Sequence, residues 1–368
     1  MKILLMGDAS NYHASLAGAL ARAGHDVTVA SHGSYWMKTA RDIDLSRREG
    51  KLGGAMLWLR LNTILASHLK GYDVVQLCGP GFVDLRPERL RKLFDRLKRD
   101  NGLVCMTALG TDSKFVEICS GADSPLKYSE YNVGGRPTPY APKADIEAWL
   151  APVLTDYTDY VYDRVDGVVT ALYEYHAVCS RFVQPSRLAY GGIPIDLHQM
   201  KYAPMLWWPD GKVHFMLASH KGREELKGMD ILRPLIERVA AAHPARAAID
   251  IVQNMPYRQF LNTLRNTHIV VDQLYSYTPA TTALLAMAMG RVAITGGENE
   301  YYEFIGETAR PILNPDPRDL SRFEAELHHV VEHPDVLAEL SAASRRLVER
   351  DNDADIVADR FIKFWESR

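Results

Sequence analysis

Short apolar runs alternate with amphipathic stretches along almost the whole chain. Residues 2–7 (KILLMG), 26–31 (DVTVAS), 73–77 (DVVQL), 103–108 (LVCMTA) and 166–172 (DGVVTAL) are compact and largely uninterrupted by charge. That pattern predicts strands buried on both faces, as in a parallel sheet. Between them, 13–23 (closed by Gly24), 88–99 and 173–182 carry helical spacing. The stretch 189–209, containing YGGIPIDLHQMKYAPMLWWP, breaks the rhythm with Gly, Pro and Trp and predicts a hinge. The alternation then restarts. Strands are expected at 213–219, 248–252, 268–274 (HIVVDQL) and 292–297 (VAITGG), and helices at 228–242, 257–267 and between 317 and 365. Strands alternating with helices make an α/β protein with parallel sheets. The expected division is 1–195, 196–350 and a terminal helix at 351–368, whose FIKFW is available to cross back to the first domain.

Composition narrows the class. With 368 residues, 47% hydrophobic and 24% charged, the chain is long enough for two cores. A net charge of −3 gives no overall footprint for nucleic acid. Cys78, Cys105, Cys119 and Cys179 are scattered without CxxC spacing, which reads as reduced core cysteines in a cytoplasmic protein. The apolar start MKILLM is too short for a signal peptide. No run approaches the roughly 18 apolar residues of a membrane span. Leu57, Trp58, Leu59 and Leu61, with Lys51, Arg60 and Lys70, form a basic apolar stretch that suits peripheral membrane attachment or a helix packed on the first sheet.

The most informative segment is 272–297, DQLYSYTPATTALLAMAMGRVAITGG. A strand end leads into a polar aromatic loop, and Thr278-Pro279 is a helix-start signal. Free N–H groups at such a start favour an anion, and Ala280, Thr281 and Thr282 leave the backbone open to a phosphate. The small residues Ala283, Ala286 and Ala288 let the helix lie close on a sheet.

This segment resembles the donor-sugar-nucleotide region of GT-B glycosyltransferases, most closely the large retaining family that includes many bacterial polysaccharide and lipopolysaccharide sugar transferases. The matching words are the helix Leu284-Leu285-Ala286-Met287-Ala288-Met289-Gly290 and the strand Val292-Ala293-Ile294. The chain departs from that family where its paired glutamates would fall, at Tyr277 and Leu285. The resemblance implies a GT-B fold, two doubly wound Rossmann-like domains facing across a cleft. It also implies a UDP- or GDP-sugar as donor substrate, a glycan or lipid-linked acceptor, no resident cofactor and retention of configuration. No HExxH and no DxD-like acidic pair follows a strand of the sugar-binding half, so the expected mechanism is metal-independent.

Loops after strands then become the candidates. On the donor side, two cations near a helix start suit a diphosphate, and the resemblance assigns this role to Arg223 and Lys227. Their spacing is one residue shorter than usual, which keeps Lys221 in the set. Asn254, Met255 and Tyr257 fall where the nucleotide base would lie. Gln273, Tyr275, Tyr277, Thr278 and Ala280 to Thr282 line the phosphate and sugar loop, with Glu298 as a substitute ribose contact. On the acceptor side lie Gly7, Asp8, Ser10 and Asn11, then Gly110, Thr111 and Asp112. Asp112 is the candidate catalytic acid or base, and His13 the candidate that orients an acceptor hydroxyl. Residues 113–152 read as a long irregular lid whose Tyr128, Tyr131 and Tyr140 are placed to stack on sugar rings. Two other readings stay open: a nucleotide-sugar epimerase of the same fold, and a degenerate subunit that binds sugar nucleotides without catalysis.

Overall fold

A computed structural model describes every residue except 35–36, 206–208, 220–221 and 254. The strands, in chain order, are β1 (Lys2–Met6), β2 (Asp26–Ser31), β3 (Ile43–Asp44), β4 (Val74–Cys78), β5 (Leu103–Ala108), β6 (Asn132–Val133) and β7 (Arg136–Pro137). They continue with β8 (Gly167–Thr170), β9 (Leu188–Tyr190), β10 (Val213–Ser219), β11 (Ala247–Gln253), β12 (Ile269–Val271) and β13 (Val292–Ile294). One compact unit comprises Met1–Asp123, Asp145–Asp196 and Ala354–Arg368, and the other Ser124–Ala144 and Leu197–Asp353.

The first unit is built on a parallel sheet of order β3-β2-β1-β4-β5-β8-β9. Its strands are apolar on both faces because helices cover both. Tyr12–Arg22 and the terminal helix Ala354–Glu366 lie on one side, Arg22 bonding Asp355 at 2.6 Å. Phe361, Phe364 and Trp365 are buried, and the Trp365 indole donates to Gln76 Oε1 at 3.0 Å. Gly191 makes room for this packing: a Cβ there would lie 2.9 Å from the Phe361 ring and 2.7 Å from Val169. On the other face, Leu90, Leu93, Phe94 and Leu97 of helix Pro87–Asp100 join Leu57, Leu61, Val161 and Val165 in one core.

The second unit has a parallel sheet of order β11-β10-β12-β13. Helices Met229–Ala242 and Leu320–Glu332 and β10, β12 and β13 share its core. The helix Thr281–Ala288 is apolar and buried from Ala283 onward, packing its small side chains beside the sheet.

Three features differ from the pattern read along the chain. Of the expected lid, Ser113–Ser120 is a helix capped by Asp112, and helices also form at Ile146–Trp149 and Pro152–Arg164. What remains is a short excursion carrying the β6–β7 hairpin, and its residues Ser124–Ala144 belong to the second unit rather than to the expected 1–195 domain. At the start of the expected hinge, Ala189 and Tyr190 belong to Leu188–Tyr190, an edge strand of the first sheet. The helix expected to open at Pro279 starts at Thr281, because Ala280 is extended (φ −89°, ψ −177°).

Candidate functional site

In the second unit, loops at the carboxyl ends of the strands lock together. The loop after β10 ends in Gly228, whose φ of +67° and close approach to Leu274 leave no room for a side chain: a Cβ would lie 2.6 Å from the Leu274 Cβ. The Leu274 N–H donates to the Lys227 carbonyl at 2.8 Å. This registers the loop after β10 against the loop after β12. The loop after β13 is tied in the same way, with Gly296 N–H donating to Ser276 Oγ at 3.0 Å and Glu298 N–H to the Tyr277 carbonyl at 3.2 Å.

The helix Thr281–Ala288 opens at this junction. Its N-cap residue, Ala280, makes no side-chain capping bond, and no acidic residue stands in its first turn. Ala280, Thr281 and Thr282 are half-buried, so the first-turn N–H groups lie beside a partly open surface. Free donors and the positive dipole end together favour an anion there.

The two candidate cations differ sharply. Arg223 is exposed, and among the described residues its guanidinium makes no ion pair. Lys227 is already matched: its Nζ lies 2.6 Å from Oδ1 of the fully buried Asp272. Asp272 Oδ2 is also buried and has no hydrogen-bond partner among the described residues. Lys227 therefore serves first as the counter-ion of Asp272, a correction to its reading as a free phosphate ligand. Lys221 and Asn254 lie outside the described residues. Met255, Tyr257, Gln273 and Tyr275 are half-buried along the same end of the sheet, Tyr257 opening helix Tyr257–Arg265.

Glu298, Tyr277 and Thr278 are not presented to a ligand. Glu298 is buried and accepts from Lys127 Nζ at 2.8 Å, Tyr128 OH at 2.7 Å and Asn314 Nδ2 at 2.7 Å. Burial pushes its carboxyl up, but these three hydrogen bonds and the Lys127 charge outweigh that and hold it below its usual value. Lys127 also pairs with Glu300 at 2.8 Å. Tyr277 is buried with its ring 4.9 Å from that of Tyr128, and its hydroxyl accepts from the Lys127 N–H. Thr278 is buried with it. The substitute-ribose role of Glu298 thus gives way to an anchoring one, fastening the excursion Ser124–Ala144 to the loops after β12 and β13. Tyr128 and Tyr131 are buried and unavailable for stacking on sugar rings, while Tyr140 is half-buried near the charge of Arg223. Lys127, Asp272 and Asn314 were not singled out from the sequence; an acid directly after the run HIVV was the one available signal.

In the first unit the loop after β1 is backbone-strained. Gly7 has φ +83°, and a Cβ would fall 2.7 Å from the Phe82 carbonyl oxygen. Ser10 (φ 53°) and Asn11 (φ 67°) are consecutive left-handed residues without glycine's freedom. Asp8 holds this shape from inside, accepting from His13 N–H at 2.9 Å and Thr39 Oγ1 at 2.7 Å. His13 is fully buried. Its Nδ1 donates to the Gly7 carbonyl at 2.7 Å, which leaves Nε2 as a buried acceptor without a partner among the described residues. Burial lowers its pKa, so the ring is a neutral loop-shaping group and not a solvent-facing one.

The loop after β5 leaves Gly110 (φ 75°) and Thr111 exposed. Asp112 is buried behind them with both carboxylate oxygens engaged: Oδ1 accepts from Phe115 N–H and Oδ2 from Tyr162 OH, each at 2.8 Å. Burial raises its pKa against those bonds. As found, Asp112 is the N-cap of helix Ser113–Ser120, a correction to its reading as an open base. Among the described residues, no group of three or more His, Cys, Asp or Glu comes together as a metal site.

No family model matches the chain, and no curated protein matches its sequence. Solved structures are similar in fold. Sucrose-phosphate synthase from Thermosynechococcus elongatus superposes with a TM-score of 0.64 at 14% identity, over 100% of this chain and 98% of that one. Anabaena HepE in complex with UDP and glucose gives 0.62 at 11%, over 100% of both chains. An α-glucosyltransferase in complex with UDP and a 13-mer DNA containing a HMU base gives 0.62 at 9%, over 100% and 99%. The chain thus has the α/β GT-B fold that these transferases share, with a Rossmann-like parallel sheet in each of its two units.

Proposed function

We propose that this protein is a glycosyltransferase that takes its sugar from a nucleotide diphosphate donor held by the second unit. The observation that carries the reading is the uncapped start of helix Thr281–Ala288, interlocked with the loop that bears Arg223 and Lys227. Structural neighbours that bind UDP support it. In this reading the first-turn N–H groups and Arg223 stabilise the charge that develops on the leaving diphosphate, doing electrostatically what a metal ion does elsewhere. Lys227 adds its remaining N–H donors while staying paired with Asp272. The acceptor, a glycan or lipid-linked sugar of bacterial surface polysaccharide or glycoconjugate assembly, meets the exposed Gly110-Thr111 turn and the loop after β1. Asp112 and His13 hold those loops in shape. Retention of configuration and independence of metal belong to the same proposal.

Titration calorimetry of the whole protein with UDP, GDP and their sugar conjugates tests it. Binding of at least one nucleotide, weakened in Arg223→Ala, is the expected result. If none binds, the proposal fails. Turnover of a nucleotide sugar without any acceptor would favour the epimerase instead.

A further inference from the structure

Two helices of the first unit begin at the wall of one cavity. Helix Gly50–Asn62 enters it with its first residue, Gly50, and helix Pro87–Asp100 with its N-cap Arg86 and first-turn Glu88. Neither N-cap residue, Glu49 or Arg86, makes a side-chain capping bond. Both starts thus bring positive dipole ends to the same space. The cavity holds about 600 Å³, a size that suits a small molecule.

Its charge is a second, independent observation. Five cations stand in the wall, Arg47, Lys51, Arg86, Arg89 and Lys92, against two carboxylates, Asp84 and Glu88. Arg47 is engaged by Asp84, bonding it at 2.7 and 2.8 Å. That leaves four cations facing one carboxylate, and none of the four has an ion pair among the described residues. Like charges collected in one wall repel unless an anion lies among them. The arrangement is nonetheless built in. Arg89 donates to the Gly54 carbonyl at 2.9 Å, and a Cβ at Gly54 would lie 3.7 Å from Arg47 Nη1 and 3.9 Å from Arg89 Nη1. A glycine at this position therefore lets two guanidinium groups come up against the helix. Gly50, Lys51, Gly54 and Trp58 follow helical spacing and give the cavity one continuous face of that helix. Trp58 is half-buried and offers an apolar surface on which a sugar ring can lie.

We infer that this cavity is a binding site for a small, doubly phosphorylated sugar. Its phosphates lie among Lys51, Arg86, Arg89 and Lys92 at the two helix starts, and its ring rests on Trp58. Two phosphate groups match this excess of positive charge, whereas a single phosphodiester leaves most of it unmatched. No residue of the donor loops or of the Gly110-Thr111 turn lines the cavity. It touches the acceptor side through one segment only: Asp84 and Arg86 belong to the loop after β4, whose Phe82 carbonyl closes on Gly7. A bound ligand therefore steadies a loop that abuts the loop after β1. The inference goes beyond the transferase reading and needs no nucleotide, so either can fail while the other stands.

Titration calorimetry of the full chain tests it with fructose 1,6-bisphosphate, fructose 6-phosphate and glycerophosphoglycerol, a soluble phosphodiester headgroup. The bisphosphate should bind at least about tenfold more tightly than either single-phosphate ligand. Lys51→Glu/Lys92→Glu, at two exposed positions, should abolish its binding. Gly54→Leu should do so as well, by filling the cavity without altering its charge. Arg223→Ala should leave bisphosphate binding unchanged, and UDP should bind Gly54→Leu as it binds the wild type. An unaltered thermal transition will verify that the variants fold, and the two act by unrelated means. Absence of bisphosphate binding, or equally tight binding of glycerophosphoglycerol, overturns the inference. So does wild-type affinity in either cavity variant, which would place the anion on the surrounding surface. Loss of bisphosphate binding in Arg223→Ala would place it in the donor site and overturn the inference too.

Discussion

Two buried carboxylates carry opposite consequences for pH. Glu298 sits below its ordinary value, so its contribution to stability is full above about pH 4.3, the usual glutamate pKa, and is lost as pH falls through the lower folded value. Asp112 is raised by burial, so its contribution runs the other way and declines as pH rises through its folded pKa. Glu298→Gln keeps the shape but leaves Lys127 without its buried partner. It should cost about 2–4 kcal/mol and expose the excursion Ser124–Ala144 to protease, as read by urea unfolding and limited digestion. Asp112→Asn should be mild, because asparagine caps a helix about as well as aspartate; a loss of transfer of about 10²–10⁴ would restore Asp112 as a proton acceptor. Arg223→Ala should cut donor affinity ten- to a hundredfold, the worth of about 1.5–3 kcal/mol for a charged hydrogen bond, with an unchanged unfolding midpoint. Lys227→Ala should instead lower that midpoint by stranding Asp272. The sequence identified Arg223 and Lys227 as a pair of equals. Their difference rests on Asp272, a residue 45 positions on from Lys227 that only folding brings to 2.6 Å.

At the scale of elements, the helix start at Thr281 offers a test in which stability and function move in opposite directions. Thr281→Glu places a negative charge at an uncapped N-terminus, which should stabilise the fold by about 0.3–1 kcal/mol. The same charge should repel a diphosphate and weaken donor binding. Calorimetry on the variant reads both effects, and tighter binding would remove the helix start from the donor site. This helix and its strands were legible because buried apolar runs and a small-residue face leave a strong periodic signal. Its first residue was not, because Tyr277 is fixed by contacts with Lys127 and with the loop after β13, which override the local Thr-Pro signal. The same holds for Ser113–Ser120: Asp112 looked like a turn acid, and its capping bond to Phe115 N–H is a local signal outweighed by the surrounding Tyr, Gly and Pro.

For the whole molecule, the chain's path is where sequence reading stops. Doubly wound units follow from alternation, whereas the assignment of Ser124–Ala144 to the second unit depends on Lys127 and Tyr128 meeting Glu298 some 170 residues later. That path makes a spatially resolved prediction possible. A UDP- or GDP-sugar at a hundred times its Kd should stabilise the protein by about 2.7 kcal/mol. Hydrogen exchange should show the new protection in residues 222–228, 272–282 and 295–299, whose loops interlock at the ends of the second sheet. The helix Ala354–Glu366 and β1 should exchange as before. Because Arg223 and the helix start are proposed to carry the diphosphate charge, the same protection and the same transfer rate should persist in excess EDTA. Protection and transfer that vanish with chelator and return with Mg²⁺ or Mn²⁺ would instead mean that a bound cation bridges the diphosphate, and would displace the side-chain mechanism while leaving the donor site in the second unit.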